Sequence, residues 1–208
     1  MNSKRSLVRR TAAVSAAAAA ALVLVACGGN GDSSAGYDGH TTKSPSASAP
    51  ASQGQHNTAD AAFAKGMIPH HRQAVDMADL APSRAESAEV KKLAEQIKKA
   101  QDPEIRTLSG WLTSWGEEVP AEGATDHSAH GTGGMMTAEQ MDQLENSSGK
   151  AFDTAFMEMM IKHHEGAVAM AKTEQADGAY EPAKKMAGAI ITSQTAEITR
   201  MNKLLGKN

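Results

Sequence analysis

The sequence predicts an all-α protein: an antiparallel four-helix bundle of ferritin-like type, built from two duplicated helical hairpins with a short inserted helix. Three observations predict it. Apolar residues recur at steps of 3 and 4 over long stretches, with no sustained alternation of the kind strands show. Residues Asp60 to Leu112 match those 93 positions later at 19 of 53 ungapped positions, which marks an internal duplication. Each copy carries two helical stripes, and the break between them sits near residue 82 in the first copy and near residue 175 in the second.

The first arm of the first hairpin, about Thr58 to Leu80, carries Phe63, Met67, His70, Ala74 and Met77 at steps of 4, 3, 4 and 3, the stripe of a core-facing helix. The second copy repeats it as Phe156, Met160, His163, Ala167 and Met170. The second arm starts after Pro82, where Ser83 and Glu86 read as a capping box, and runs through Val90, Leu93, Ile97, Gln101, Ile105, Leu108 and Leu112. Its counterpart starts near Pro182, a favourable first-turn proline, and carries Met186, Ile190, Gln194, Ile198, Met201 and Leu205. The inserted helix spans about Thr137 to Glu145, with Thr137 and Gln140 as its cap. Pro69 and Pro103 each remove a helical hydrogen bond and have no counterpart in the second hairpin.

Outside the hairpins the composition changes. Residues 1–26 hold four basic residues and then an alanine-rich apolar run, which reads as a secretory signal rather than a spanning helix. Leu24-Val25-Ala26-Cys27 resembles a bacterial lipobox, which implies lipidation at Cys27 and anchoring to the outer face of the cell membrane. Residues 27–57 are poor in large apolar side chains and read as a disordered tether. The folded domain is then 58–208, with hairpins at 58–118 and 137–208 and a linker at 119–136.

Charge and cysteine usage exclude several chemistries. Loss of residues 1–26 leaves 17 basic against 24 acidic residues, a net charge near −7 that disfavours a nucleic-acid partner, as does the 3% aromatic content. Cys27 is the only cysteine, so neither a disulfide framework nor a thiolate metal site is available within the monomer.

Histidine and methionine remain. Met67-Ile68-Pro69-His70-His71 and Met160-Ile161-Lys162-His163-His164 are each followed by an Ala-Val-x-Met-Ala segment containing Met77 or Met170. Residues three and four apart share a helix face, so Met67 lies beside His70 and His71. If the hairpins pack by a pseudo-twofold axis, His70, His71, His163 and His164 pool with Met67, Met77, Met160 and Met170 into one or two sites. Imidazole with thioether is a ligand set that suits Cu(I) better than magnesium, calcium or manganese. A single methionine on such a stripe is usually packing, but burying four imidazoles without partners is costly. His127, His130, Met135 and Met136 form a weaker cluster in the linker, and His40 and His56 are weaker still.

Reversal of the hairpins near 82 and 175 sets His70 opposite about Ala94 and His163 opposite about Ala187. Glu104 and Glu197 then fall about 15 Å from that level. This counts against a di-iron centre, whose glutamates must project at the height of its histidines. Gln101 and Gln194 are closer and fit as hydrogen-bond partners of the imidazoles.

On these motifs the chain resembles the bacterial family of domain of unknown function 305, whose members carry Met-Ile-x-His-His followed by Ala-(Val/Ile)-x-Met-Ala. The resemblance covers about residues 58–206. It implies a ferritin-like helical fold and a copper-linked role for Met67, His70, His71, Met77, Met160, His163, His164 and Met170. Arg72 and Gln73 stand where the second copy has Glu165 and Gly166, so the two half-sites are not equivalent. The expected function is a membrane-anchored copper-binding lipoprotein for sequestration, tolerance or transfer, with iron or zinc as lesser metals and no catalysis. The alternatives are a ferritin-like metal oxidase and an interaction module whose His/Met stripe is only core.

Overall fold

The structure, a computed structural model, describes residues 55–122 and 133–207. The signal segment, Cys27, the tether before residue 55, His40, His127 and His130 lie outside the described residues. Five helices are described: α1 (Thr58–Arg84), α2 (Ala88–Trp115), α3 (Ala138–Glu145), α4 (Gly149–Asp177) and α5 (Glu181–Leu204). Helices α1 and α2 form one antiparallel hairpin and α4 and α5 the other. The hairpins meet along α1 and α4, and α3 rests on that pair. Helix α1 runs antiparallel to α4, for Asn57 Nδ2 at the start of one donates to the Asp177 carbonyl at the end of the other, at 2.8 Å. No described helix is long and apolar enough to cross a membrane.

Local sequence explains the boundaries. Asn57 caps α1 in a reciprocal box with Asp60, and Thr137 caps α3 in the predicted box with Gln140. The expected Ser83–Glu86 box does not form. Helix α1 continues through Pro82 to Arg84, Ser83 Oγ donates to the Leu80 carbonyl, and Ser87 caps α2 instead. A proline in the last turn keeps a helical φ and forfeits a single hydrogen bond, so it does not stop the helix on its own.

The core is double. One apolar cluster gathers Met77, Ala81, Leu93, Ile97, Phe152, Phe156 and Met160 toward the hairpin turn of α1 and α2. The other gathers Phe63, Met67, Ile68, Leu108, Leu112, Ala167 and Ile190 toward the opposite end. Every residue of the predicted α1 stripe is buried, and in α4 only Met170 is partly exposed.

The duplication appears again in how the hairpins lock together. Asp153 at the start of α4 accepts from the backbone N–H groups of Glu86 and Ser87, at 3.2 and 2.9 Å. Asp60, its equivalent in α1, accepts from Ala179 and Tyr180 at 3.2 and 2.9 Å. Each hairpin thus supplies the carboxylate that satisfies the turn of the other, where helix-start N–H groups lack internal partners. Asp153→Ala is expected to lower stability by about 1–2 kcal/mol, with a smaller loss for Asp153→Asn, as measured by urea unfolding.

Candidate metal centre

Between the two apolar clusters lies a polar layer to which all four long helices contribute: His70, His71 and Gln73 from α1, Gln101 and Glu104 from α2, His163 and His164 from α4, Gln194 and Glu197 from α5. The four histidines are at most 1% exposed. His70 and His163 face each other across the α1–α4 contact with ring centroids 3.7 Å apart and planes tilted by 42°. Among the described residues neither ring makes a well-aligned hydrogen bond at either nitrogen, though the Gly133 backbone lies close to His70.

The outer pair is held differently. His71 Nε2 lies 2.7 Å from Glu104 Oε2, and His164 Nε2 lies 2.6 Å from Glu197 Oε2. Each carboxylate acts as acceptor, which assigns the imidazole proton to Nε2 and leaves the Nδ1 lone pair free. Both Nδ1 atoms are buried without a partner. A carboxylate behind an imidazole whose other nitrogen is free is the arrangement that orients histidine toward a metal. Gln101 Oε1 and Gln194 Oε1 are buried and also lack partners, so neither accepts a bond from an imidazole.

This geometry corrects the expected levels. Glu104 and Glu197 stand at the height of the histidines rather than about 15 Å away. Helix α1 ends at Arg84 instead of Leu80, and each residue added before a reversal shifts the facing register by two. A turn displaced by about five residues therefore moves the glutamates by about 15 Å along the helix.

Burial removes water from the inner pair and disfavours the charged ring. It holds His70 down at about 3, with the nearby His71 and His164 acting in the same direction and the Gly133 backbone opposing. His163 is also pushed well below the ordinary histidine range, by burial first and then by His70, His164 and His71. Both rings are neutral at physiological pH and present lone pairs rather than cations. Such lone pairs lie in the ring plane, so a metal would be held at the ring edges.

The methionines divide. Met77 and Met160 belong to the cluster on one side of the layer, Met67 and Met170 to the cluster on the other. Met67 and Met160 are each one turn from an inner histidine. Met77 and Met170 are two turns away, about 10 Å along the axis. Among the described residues no three His, Cys, Asp or Glu side chains already converge as a metal cluster. The layer therefore needs a thioether or a side-chain rotation to complete three ligands.

Residues 133–136, the described end of the linker, pack against this layer. Gln73 donates to the Met136 carbonyl at 2.9 Å and accepts from its N–H at 2.7 Å, which draws Met136 into the core. Gly133 packs on Gly166, where a Cβ would overlap the Gly133 carbonyl, and Gly134 adopts a φ of 89° against the backbone of His163. Met135 is partly buried beside it, while His56 stacks on Trp115, away from the layer.

Fold and site together define an all-helical bundle protein with a buried histidine centre. The family profile described as domain of unknown function DUF305 matches residues 60–205, and the chain belongs to that family. Among solved structures it is similar to a DUF305 protein from Streptomyces coelicolor described as a candidate secreted protein. That match has 33% identity, covers 72% of this chain and 93% of that one, and has a TM-score of 0.65. It is similar also to CopM in the Cu(I)-bound form, with 34% identity, 70% and 94% coverage and a TM-score of 0.59. A DUF305 fragment from Deinococcus radiodurans matches at 27% identity, 73% and 98% coverage and a TM-score of 0.64. CopM is also represented in Cu(II)-bound and silver-bound forms. Among curated proteins, none matches the chain.

Two expectations follow. The metal-free protein should lose stability as pH falls from about 6.5 toward 3, because the unfolded imidazoles bind protons that folded His70 and His163 refuse. Thermal melts of His70→Phe should show a shallower dependence over that window. Gly166→Ala should displace the linker and cost about 1–3 kcal/mol, the usual range for overpacking, visible as a lowered melting temperature.

Proposed function

We propose that this protein is an extracytoplasmic copper-binding lipoprotein, anchored through Cys27, that sequesters copper or passes it on and catalyses nothing. One observation carries the reading: six imidazole nitrogens, two each on His70 and His163 and one each on His71 and His164, are buried without partners. A packed interior does not leave that many polar atoms unmet without a reason. Neutral imidazole and the adjacent thioethers of Met67 and Met160 form a soft donor set, with Met77 and Met170 further along the helices. The copper and silver forms of CopM support the choice of metal, with Cu(I) favoured over iron and zinc.

In this reading the inner pair His70 and His163 binds first, because these rings need lose neither a proton nor a hydrogen bond. Glu104 and Glu197 hold His71 and His164 with Nδ1 available, so rotation of either ring adds a third nitrogen. Met67 and Met160 offer sulfur from opposite sides of the layer. Burial in an apolar bundle excludes water and shields bound copper from oxygen chemistry.

A second reading, a metal oxidase, is favoured by the carboxylates at the height of the histidines. Oxygen consumption that continues past one equivalent of added cuprous or ferrous ion would establish it.

Competition against a chromogenic cuprous chelator tests the first reading. Changing His70, His71, His163 and His164 together to alanine is expected to weaken Cu(I) binding by at least a hundredfold; unchanged affinity overturns it. Silver and copper should raise the melting temperature of the native chain and leave that of the variant unmoved.

A further inference from the structure

Two buried oxygens in the histidine layer are left over once its protons are assigned. Gln101 of α2 and Gln194 of α5 stand 93 positions apart and are 2% and 3% exposed; the Oε1 of each is buried without a hydrogen-bond partner among the described residues. Each interrupts the apolar core stripe of its helix, between Ile97 and Leu108 in α2 and between Ile190 and Met201 in α5. The imidazole protons do not claim these oxygens. Glu104 and Glu197 take those of His71 and His164, while the Gly133 backbone lies beside His70 and the His70 backbone beside His163. An amide oxygen buried without a donor carries a desolvation cost, and the duplication repeats that cost at both positions.

Helix register gives each glutamine its neighbours. The His71–Glu104 contact sets Gln101 opposite Ala74, and the His164–Glu197 contact sets Gln194 opposite Ala167. Both alanines are fully buried, and each follows an inner histidine, His70 or His163, by one turn. A long amide facing a methyl group has room to reach along the partner helix toward that histidine. Across the α1–α4 contact, where His70 meets His163, Ala74 is level with Met160 and Ala167 with Met67. Each flank of the layer therefore brings one thioether and one amide oxygen to the same level: Met160 with Gln101, and Met67 with Gln194. The thioether is the softer donor of each pair and the amide oxygen the harder. Cu(I) prefers sulfur and imidazole, whereas Cu(II) prefers nitrogen and oxygen in a tetragonal arrangement.

We propose that Gln101 and Gln194 are the Cu(II)-selective ligands of the layer, so that the buried histidines hold copper in either oxidation state, with Met67 and Met160 beside Cu(I) and the glutamine oxygens beside Cu(II). The proposal rests on the copper reading of the histidine layer and adds to it a second oxidation state and the residues that select it.

Competition titrations of the full chain test it, against a cuprous chelator without oxygen and against a Cu(II) chelator in air. Gln101→Leu with Gln194→Leu should weaken Cu(II) binding about tenfold and leave Cu(I) affinity within about twofold of wild type, tenfold being the usual loss when a group supporting a metal site is removed. The EPR spectrum of bound Cu(II) should change with it, because the donor set loses oxygen. Met67→Leu with Met160→Leu should do the reverse, weakening Cu(I) and sparing Cu(II). Gln101→Met with Gln194→Met, which keeps the side-chain length, should match the leucine pair toward Cu(II); thermal melts verify that the variants fold. Wild-type Cu(II) affinity and spectrum in both glutamine variants overturn the proposal and leave the Cu(I) reading intact. Equal weakening of both ions overturns it too, since that marks a packing role. Wild-type affinity for both ions in the variant lacking all four histidines overturns the histidine reading and the glutamine ligands together.

Discussion

The structure depends on a single costly layer. Four imidazoles and two glutamine side chains are buried between two apolar clusters, and eight of their polar atoms have no partner. An unmet buried polar group costs about 1–3 kcal/mol, so such a layer opposes folding unless its neighbours compensate. The compensation is visible on both sides. Each outer histidine is tied to a glutamate of its own hairpin, and each hairpin caps the turn of the other through Asp60 or Asp153. Neither hairpin is complete alone, because the layer and the caps both close only across the α1–α4 contact. Anything that binds the free nitrogens in the folded state alone adds its binding energy to the stability of this contact.

The helical stripes and the duplication were legible in the sequence because both are local or periodic. The α3 capping box was legible for the same reason: Thr137 and Gln140 are three residues apart. The facing levels of the two arms were not. They depend on where the chain reverses, and Ser83 with Glu86 offered a false start just after a proline that α1 tolerates. An error at a turn is doubled in the register of everything beyond it, which separated Glu104 from His71 on paper by several helical turns. A signal that could have found these pairs was present. Glu104 and Glu197 are identical across the copies, and both lie 33 residues after the second histidine of their motif. Two equal separations between polar residues in duplicated hairpins point to a repeated contact, whatever the assumed turn.

The departures from symmetry have a physical cause as well. Residues 133–136 meet two equivalent positions of a pseudo-twofold layer and cannot treat them alike. Gln73 takes the linker by its backbone, with both amide atoms engaged on Met136. Gly166, its equivalent, makes room for Gly133 by having no side chain. The glutamine and the glycine thus answer the same crossing from opposite sides. His70 and His163 keep their identity because they meet each other across the axis, whereas residues 73 and 166 meet the linker.

Glu174 departs from symmetry at the end of the bundle where it meets Asp60. At Ala81 the equivalent position is filled by an apolar side chain, so the contact of the Glu174 carboxyl with Asp60 is peculiar to one end of the bundle. Burial first, and then the hydrogen bond to Asp60 and the charge of that carboxylate, push the Glu174 carboxyl up to about 8. A raised carboxyl works against the fold: the unfolded chain releases that proton near pH 4.5, while the folded chain gives it up only at higher pH. Stability contributed by the protonated form is therefore complete at low pH and lost as pH rises through the folded value. The inner histidines run the other way, being more stable as pH rises above their unfolded value. The opposing slopes meet near neutrality, where the inner imidazoles are neutral and the Glu174 carboxyl stands close to its point of ionisation.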